Sequence, residues 1–432
     1  MRVYKFGGAS VKNADGIKNI LKIIQGDPAG SMMLVISAMG KTTNALEQIL
    51  DLAMSGETWE GELNKLKDFN REIVTELFPD PAFLIEKTEA IFIELEEALG
   101  RLRQDNYDFH YDQLVSFGEY LSATILTHYL RSQGINAKFT DARQHIFTDD
   151  TYRAAKVDML KTLESFQKMK SEEAAVYVMQ GFIGMDEERN ITTLGREGSD
   201  YSAAIAAYCL DAKELTIWKD VDGVYNADPK IFSNTRLIPD LSYREAVELA
   251  FYGASIIHPK TIQPLKEKAI QLRVRSFYHL DREGTIVKEN VGIKKRESVI
   301  IVKRNQLLLS ITPHDFSFMD AGNMSLAFKI FSKYRYQINL LQNSAISFSV
   351  CLDDNRPYFN ELLTDLQRHF EVRYNTEQVL LSIRHYDTQI MDQIYAQLPI
   401  KMEQRSRSTY QIVVNKEVFQ HQAVDLLNAL DS

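Results

Sequence analysis

Short apolar or β-branched runs alternate with longer stretches of helical spacing through the first part of the chain. Six of these runs predict strands: Val3–Phe6, Met33–Ser37, Lys138–Thr140, Ala175–Gln180, Leu215–Trp218 and Leu272–Ser276. Strands that alternate with helices are typical of an α/β domain, a largely parallel open sheet with helices on both faces. Ligands of such sheets bind at the carboxyl ends of the strands, so we expect a functional site there.

Residues 43–100 depart from this alternation and show helical spacing with few strand signals. The apolar positions at helical spacing include Leu84, Ile91, Leu95 and Leu99. We interpret 43–100 as a helical subdomain beside the site, within an α/β domain that covers 1–290. A packing appendage without a functional role is the alternative.

A pattern break at Gly284 and Gly292 indicates a domain boundary. The chain beyond it predicts two small α+β units, at 298–372 and 377–432. The elements of the first unit are Gln306–Ile311, Met324–Tyr334, Gln337–Asn343 and Ile346–Leu352. Those of the second are Val379–Arg384, Gln389–Gln397, Lys401–Arg405, Gln411–Asn415 and Val418–Leu430.

Composition narrows the classes of function. The 432 residues are 45% hydrophobic and 25% charged, as in soluble globular proteins of two or three domains. A net charge of −9 without a basic run argues against a nucleic-acid partner. No apolar run reaches membrane-spanning length, and the chain enters its first strand without a signal peptide. With only Cys209 and Cys351, expected as buried free thiols, we predict a cytoplasmic protein.

The first strand leads directly into the segment Lys5-Phe6-Gly7-Gly8-Ala9-Ser10-Val11. A lysine at a strand end, followed by two glycines and a helix, presents an ammonium and free backbone N–H groups to one anion. Neither a Walker loop nor a Rossmann fingerprint is present. The segment predicts a phosphate cradle, and a simple tight turn is the alternative.

A second segment runs from Thr192 to Tyr201 as Thr-Thr-Leu-Gly-Arg-Glu-Gly-Ser-Asp-Tyr. Its glycine-rich turn brings Ser199 and Asp200 to the start of an Ala-rich helix, where both could be helix caps. Capping does not explain Arg196, which is a bidentate carboxylate or phosphate binder by its chemistry. The segment therefore indicates a second part of an anion site.

A third segment, Trp218-Lys219-Asp220-Val221-Asp222-Gly223-Val224-Tyr225, follows another predicted strand and continues to Lys230. Its Asp-Gly and Asp-Pro dipeptides indicate turns. An aromatic ring and two lysines suit a base, a ribose and phosphates. Taken alone, the segment is also consistent with an ordinary polar loop.

These three segments, together with Ser116-Phe117-Gly118-Glu119, resemble in order and spacing the aspartate kinases of the amino-acid-kinase superfamily. The resemblance is strong over about 290 residues and loose beyond, where the two small units look like paired ACT domains, the regulatory modules of that family. It implies transfer of the γ-phosphoryl group of ATP to the side-chain carboxylate of L-aspartate. Mg²⁺ is expected through the phosphates of ATP, with no metal site formed by the protein itself.

The resemblance implies that Lys5 bridges the transferred phosphoryl oxygens, whereas a structural ion pair is the alternative role. Asp200 is expected to orient this lysine. It is not expected to act as a base, because an ionised carboxylate acceptor has no proton to lose. The implied phosphate-binding residues are Gly7, Gly8, Ser10 and Ser199.

For the amino-acid substrate, the resemblance implies a carboxylate clamp at Arg196, an ammonium contact at Glu119 and a further contact at Thr43. An N-cap is the alternative for Thr43, and an ordinary helix-surface position is the alternative for Glu119. The implied nucleotide-binding residues are Lys219, Asp220, Tyr225 and Lys230. Lys230 stands where many relatives have Arg. Ser255 stands where many have a nucleotide-contacting Lys, which puts one ATP contact in doubt.

In the C-terminal units, Asp320, Asn343 and Ser344 are candidates for an amino-acid effector, and loop capping explains them equally well. The identity of the effector does not follow from the sequence. Because an ACT module usually completes its sheet with another subunit, we expect a homodimer or higher homo-oligomer.

The function expected from the resemblance is a monofunctional aspartate kinase, without a following dehydrogenase domain, that opens the route to lysine, threonine and methionine. Two alternatives remain at this point. One is a sister kinase acting on another carboxylate or carbamate, and the other is a catalytically silent amino-acid sensor.

Overall fold

The computed structural model describes residues 1–27, 30–103, 105–169, 175–254, 257–291, 297–354 and 358–430. The chain divides into two compact units. The first unit comprises Met1–Val224, Ile238–Val247 and Ile256–Val291, and the second comprises Tyr225–Leu237, Glu248–Ser255 and Gly292–Ser432.

The first unit is an α/β domain built on one large sheet. Its strands are β1 (Arg2–Phe6), β2 (Met32–Ile36), β3 (Ala137–Thr140), β4 (Val176–Gln180), β5 (Ile183–Met185), β6 (Ile191–Thr193), β7 (Glu214–Lys219), β8 (Asp240–Ser242), β9 (Gln271–Ser276) and β10 (Thr285–Lys288). Its helices are α1 (Ala14–Gln25), α2 (Thr42–Ser55), α3 (Glu60–Leu77), α4 (Ala82–Gly100), α5 (Tyr107–Ser132), α6 (Met159–Met169), α7 (Gly198–Cys209), α8 (Tyr243–Tyr252) and α9 (Pro259–Glu267). The division between the units falls within α8.

The eight-stranded sheet has the order β3-β4-β2-β1-β7-β9-β10-β8. Strands β3 to β9 in this order are parallel, and β10 runs antiparallel to β9. All six strands predicted from the apolar runs are present, and the largely parallel sheet is confirmed. The short hairpin β5–β6, the edge strand β8 and its neighbour β10 were not predicted.

Buried apolar residues explain why β1 and β2 lie at the centre of the sheet. All five residues of β2 are buried, as are the last four of β1. Helix α1 begins where the side chain of Asn13 accepts a hydrogen bond from the N–H of Gly16, a regular N-cap. Helices α2, α3 and α4 occupy the region predicted to be helical, and α2 and α4 both pack against the long helix α5.

The second unit contains an antiparallel sheet of six strands in the order β12-β13-β11-β14-β16-β15. The strands are β11 (Val299–Pro313), β12 (Ile338–Asn343), β13 (Phe348–Asp353), β14 (Phe370–Arg384), β15 (Met402–Arg405) and β16 (Thr409–Asn415). The helices are α10 (Ala321–Lys333), α11 (Phe359–Gln367), α12 (Thr388–Gln397), α13 (Lys416–Val418) and α14 (Val424–Leu430), with a π-helical turn between the last two.

Two long strands, β11 and β14, join two ACT-like α+β modules. The later half of β11 pairs with β13 and with the early half of β14. The early half of β11, Val299–Lys303, pairs instead with Leu380–Arg384, and only this later part of β14 pairs with β16. The second module therefore takes one strand from a segment that precedes the first module in the chain.

Each module has its own apolar core. One core contains Leu307, Leu309 and Val350, and the other contains Leu381, Ile383 and Ile412.

Both cysteines are free and buried, as predicted. Burial raises the pKa of each thiol to about 12, so neither is a reactive thiolate at neutral pH. No helix among the described residues is long and apolar enough to cross a membrane.

Candidate active site

A cavity of about 470 Å³ opens at the carboxyl ends of β1, β2, β4 and β7, where ligands of α/β sheets bind. The residues that line it are Lys5, Gly8, Ser37, Ala38, Gly40, Thr43, Tyr111, Glu119, Arg153, Phe182, Gly195, Arg196, Glu197, Gly198, Ser199, Asp200 and Lys219. Eight of these are residues predicted from the sequence: Lys5, Gly8, Thr43, Glu119, Arg196, Ser199, Asp200 and Lys219.

Two lysines and one carboxylate form the charged centre of the cavity. The Nζ of Lys5 lies 2.6 Å from Oδ1 of Asp200, and the Nζ of Lys219 lies 3.5 Å from Oδ2 of the same residue. Lys5 comes from β1, Lys219 ends β7, and Asp200 lies in the first turn of α7. One carboxylate thus aligns two ammonium groups at adjacent strand ends.

The charge of Asp200 is set by opposing effects. Its side chain is 2% exposed, and burial alone would raise its pKa. The two ammonium groups outweigh burial and hold the pKa of Asp200 below its ordinary value. The carboxylate therefore stays ionised, which suits a residue that orients lysines and does not suit a proton donor.

Close backbone approaches bring the cavity loops together. A Cβ on Gly8 would lie 2.8 Å from the carbonyl oxygen of Ala38, and the N–H of Gly40 donates to the carbonyl of Gly8 at 3.0 Å. A Cβ on Gly181 would lie 2.5 Å from the Cβ of Ser199. Glycine is required at Gly8 and Gly181 because any side chain would push these loops apart.

Glu119 on α5 is buried, so the alternative of an ordinary helix-surface glutamate is wrong. The backbone N–H of Ala38 donates to its Oε1 at 3.3 Å, and none of the described residues donates a hydrogen bond to its Oε2. Burial raises the pKa of Glu119 to about 8. A buried carboxyl with an unpaired oxygen at a cavity wall is suited to a cationic partner.

The two other predicted substrate-binding residues also line the cavity. Thr43 lies in the first turn of α2, and the N-cap position belongs to Lys41, so Thr43 is not the cap. Arg196 is exposed and lies between Gly195, at φ 78°, and Glu197, at φ 54°. Two residues in the left-handed region, one on each side, therefore frame this arginine at the cavity.

Five predicted residues are not among those that line the cavity. Gly7 lies next to it, since a Cβ there would be 3.4 Å from the Nζ of Lys5. Ser10 is buried and its N–H donates to the carbonyl of Gly7. Asp220 is exposed just after β7. Tyr225 and Lys230 belong to the second unit. Ser255 lies outside the described residues.

In the second unit, the three candidate effector residues lie in two hydrogen-bonded loops. Asp320 is the N-cap of α10 and accepts from the N–H of Asn323, so capping accounts for its position. Asn343 ends β12, and the next residue, Ser344, shares a turn with Ser347. The N–H of Met319 donates to the carbonyl of Ala345, which brings the two loops together.

Sequence reasoning missed several residues of the site. Asp112 was not predicted; it is fully buried and accepts hydrogen bonds from Arg153, which lines the cavity, and from Thr193. Arg153, Tyr111 and Phe182 line the cavity and were also missed. A signal for Phe182 was present, since this large aromatic residue is the second residue of the turn Gly181-Phe182-Ile183-Gly184 directly after β4. Arg153 and Asp112 carry no local motif that would have marked them.

The described residues contain no group of three or more His, Cys, Asp or Glu side chains placed to hold a metal ion. The carboxylate of the cavity centre, Asp200, already pairs with two lysines. This donor set fits a metal that is held mainly by a bound polyphosphate.

Known proteins are similar to this chain in both sequence and architecture. Residues 1–276 match the Amino acid kinase family. Aspartokinase 1, chloroplastic, of Arabidopsis thaliana is 33% identical over 374 residues, which cover 84% of this chain and 65% of that protein. The chain thus matches less than two-thirds of the length of this plant relative. The aspartokinase of Chlamydia muridarum (strain MoPn / Nigg) is 30% identical over 382 residues, covering 85% of this chain and 81% of its own length.

Among solved structures, Escherichia coli aspartokinase III in complex with aspartate and ADP superposes with a TM-score of 0.83 at 25% identity, covering 99% of both chains. The chain therefore belongs to the amino acid kinase family and, within it, to the aspartokinases. The resemblance inferred from the four sequence segments is confirmed.

Proposed function

We propose that the protein is an ATP:L-aspartate 4-phosphotransferase, which transfers the γ-phosphoryl group of ATP to the side-chain carboxylate of L-aspartate. One observation carries the proposal: the Lys5–Asp200–Lys219 arrangement shares a single cavity with Glu119 and Arg196. The first group suits phosphoryl oxygens, and the second pair suits the ammonium and carboxylate of an amino acid. The aspartate- and ADP-bound structure of the E. coli relative supports the same pair of ligands.

The reaction brings two anions together, so catalysis depends mainly on positioning and on charge neutralisation. Lys5 is the residue that bridges the oxygens of the transferred phosphoryl group, and Asp200 holds its ammonium at the end of β1. No proton has to be removed from the attacking carboxylate, which is ionised at neutral pH. Backbone N–H groups near Gly7, Gly8 and Ser199 supply further contacts to phosphate.

The amino acid is held by groups of both signs. Glu119 in its ionised form pairs with the α-ammonium group, and Arg196 binds the α-carboxylate through its planar guanidinium. Thr43, at the start of α2, contributes a hydroxyl from the same wall. This arrangement leaves the side-chain carboxylate to face Lys5.

The nucleotide contacts are Lys219, Asp220, Tyr225 and Lys230. Neutralisation of phosphate charge is the chemistry that Mg²⁺ supplies when it is bound with ATP. The protein's contribution is the pair of ammonium groups held by Asp200, which adds positive charge where negative charge accumulates.

The ACT-like modules suggest regulation by an amino acid, for which Asp320, Asn343 and Ser344 remain the candidate contacts. We further propose a homodimer or higher homo-oligomer, cytoplasmic location, and a role in the route to lysine, threonine and methionine. The hydrogen bond from the N–H of Met319 to the carbonyl of Ala345 places the two loops that carry these candidates next to each other.

The test of the proposed function is an assay of the intact protein with Mg-ATP and L-aspartate, in which hydroxylamine traps the acyl phosphate as a hydroxamate and ADP release is followed in parallel. We expect hydroxamate with L-aspartate and none with L-glutamate or carbamate. Lysine, threonine and methionine are then added singly, and the one that inhibits identifies the effector.

Equal ADP release with and without an amino acid would mean hydrolysis of ATP and would contradict the proposed reaction. Turnover with another carboxylate alone would assign a sister kinase. Sedimentation of the same preparation gives the oligomeric state, and a monomer at assay concentration would contradict the proposed assembly.

A further inference from the structure

Arg153 lies in the cavity wall and has no role in the reaction proposed above. It follows Tyr152 in the segment between β3 and α6, and it lines the same cavity as Thr43, Glu119 and Arg196. Its backbone is in the left-handed region at φ 64°, which a residue with a side chain adopts at a conformational cost. Strained residues of this kind cluster at ligand sites, so a physical reason for the strain is needed.

The reason lies in a buried carboxylate that fixes the backbone of Arg153. Asp112 on α5 is fully buried and accepts the backbone N–H of Arg153 at 3.0 and 3.1 Å. Asp112 also accepts the backbone N–H and the hydroxyl of Thr193, each at 2.7 Å. Thr193 ends β6, three residues before Arg196. One carboxylate therefore anchors the two chain segments that carry the two arginines of the cavity.

The side chain of Arg153 is presented in a form that suits carboxylate binding. Its guanidinium lies over the ring of Tyr111, with Cζ 4.1 Å from the ring centroid, and a guanidinium stacked on an aromatic ring can still donate paired N–H groups from its edge. Within the described residues its ionic contacts are long, 3.4 Å to Glu47 and 3.5 Å to Asp108. Both acidic partners are partly exposed, and so is Arg153, at 35%. Pairs of this kind are weak and exchange readily for a better acceptor.

We propose that Arg153 is a second guanidinium contact for a carboxylate of the amino-acid substrate, held at the cavity wall by Asp112. The inference rests on the proposed function for the identity of the substrate, L-aspartate. It adds a specificity-determining residue: a dicarboxylic amino acid meets two guanidinium groups, whereas an amino acid with a neutral side chain leaves one of them without its acceptor.

The test compares two arginine-to-glycine variants of the intact protein. Arg153→Gly removes the side chain and also relieves the left-handed backbone. Arg189→Gly is the matched control, because Arg189 also has a left-handed backbone, at φ 68°, but lies in the turn between β5 and β6 and does not line the substrate cavity. We expect both variants to keep at least the wild-type Tm, since glycine adopts this conformation without strain.

Only Arg153→Gly should weaken the binding of the amino-acid substrate. We expect the KM for L-aspartate to rise roughly tenfold, the size of one charged hydrogen bond at a partly exposed site, with the KM for ATP unchanged. Arg153→Lys, which keeps the charge without the planar fork, should give an intermediate KM. If Arg153→Gly lowers Tm, Arg153→Lys decides: an intermediate KM at wild-type Tm supports the contact, and a wild-type KM overturns it.

Calorimetric titration of L-aspartate into wild type, Arg153→Gly and Arg189→Gly separates this inference from the proposed function. Binding without turnover, weakened by Arg153→Gly alone, would overturn the kinase proposal and support the contact. An unchanged aspartate affinity and KM in Arg153→Gly, or an equal rise in the KM for ATP, would overturn the inference even if wild type is an active kinase. Absence of aspartate binding to wild type would overturn both.

Discussion

Lys5 and Asp200 are joined by an ion pair of 2.6 Å that connects the end of β1 with the first turn of α7. Both side chains are largely buried, at 11% and 2% exposure. A buried carboxylate that loses its partner is costly, and the second lysine, Lys219, keeps part of the compensation. The ion pair is therefore compatible with both roles of Lys5, the structural one and the one in phosphoryl transfer. Kinetic measurements distinguish the two roles.

Lys5→Ala is expected to lower kcat about 100- to 1000-fold, because a charge-stabilising donor is lost where the transferred group carries its charge. The KM values for ATP and L-aspartate should change only modestly. The steady-state hydroxamate assay measures all three constants. Lys65→Ala, which removes an exposed lysine of α3, is the control and should leave them unaltered. An unchanged kcat in Lys5→Ala would remove this lysine from the phosphoryl path.

Arg196→Ala is expected to raise the KM for L-aspartate about 10- to 100-fold, since a charge-assisted contact to the α-carboxylate is lost. ATP binding should remain nearly intact. Arg101→Ala, which removes an exposed arginine of a surface ion pair, serves as the control. Measurement of both KM values decides the assignment, and equal losses for the two ligands would contradict a carboxylate clamp.

The raised pKa of Glu119, about 8, predicts coupling between substrate binding and protons. Near pH 7 the carboxyl is largely protonated, and it must ionise to pair with the ammonium group of aspartate. Binding at pH 7 should therefore release a proton, and the KM for aspartate should fall as the pH rises from 7 towards 9. Calorimetry in two buffers of different ionisation enthalpy measures the released proton. Glu119→Gln should bind aspartate weakly and without proton release.

The same pKa predicts how Glu119 affects folding. The folded protein retains a proton at Glu119 that the unfolded chain loses above about pH 4.5, so the folded state binds more protons between these values. The free energy of unfolding should decrease as the pH rises from about 4.5 to about 8 because of this group. Urea unfolding of wild type and Glu119→Gln at several pH values tests this. A pH dependence that is the same in both would show that Glu119 has an ordinary pKa.

Asp112→Ala is expected to reduce the free energy of unfolding by about 3 kcal/mol, because buried N–H and hydroxyl donors of Arg153 and Thr193 lose their acceptor. Asp68→Ala removes an exposed carboxylate of α3 and should change stability by less than about 0.5 kcal/mol. Denaturant unfolding of the two variants gives the comparison. A loss below about 1 kcal/mol for Asp112→Ala would mean that water replaces the carboxylate without cost.

Two glycine-to-alanine variants test the close packing at the cavity. A Cβ on Gly118 would lie 2.9 Å from the Cβ of Ala38 and 3.1 Å from the Cγ2 of Thr42, so Gly118→Ala should displace the loop after β2. We expect a loss of about 1–3 kcal/mol in stability together with weaker aspartate binding. Gly61→Ala, in the first turn of α3 with open space around it, should stabilise by up to about 1 kcal/mol. Similar effects in both variants would exclude a steric cause.

The sequence predicted the parts of the site that are encoded locally. Lys5 was recognised because a strand, a lysine and two glycines are adjacent, and Glu119 was recognised within one short motif. Asp112 and Arg153 were not predicted, because their significance depends on pairing at long range: Asp112 bonds with Thr193 across 81 positions of the chain. The apolar pattern likewise indicated elements at Gln306–Ile311 and Val379–Arg384 without indicating their partners, since the pattern of one strand does not specify which strand lies beside it.

The early half of β11 has a consequence for how the chain is made. Val299–Lys303 leaves the ribosome before any residue of the first ACT-like module, yet its partner Leu380–Arg384 is synthesised after that module is complete. Until then this segment has no partner strand, and its unpaired backbone groups can pair with strands of other nascent chains. Transfer of one module alone, as a continuous segment, into another protein would separate Val299–Lys303 from its partner strand. The two modules can therefore be exchanged between proteins only together.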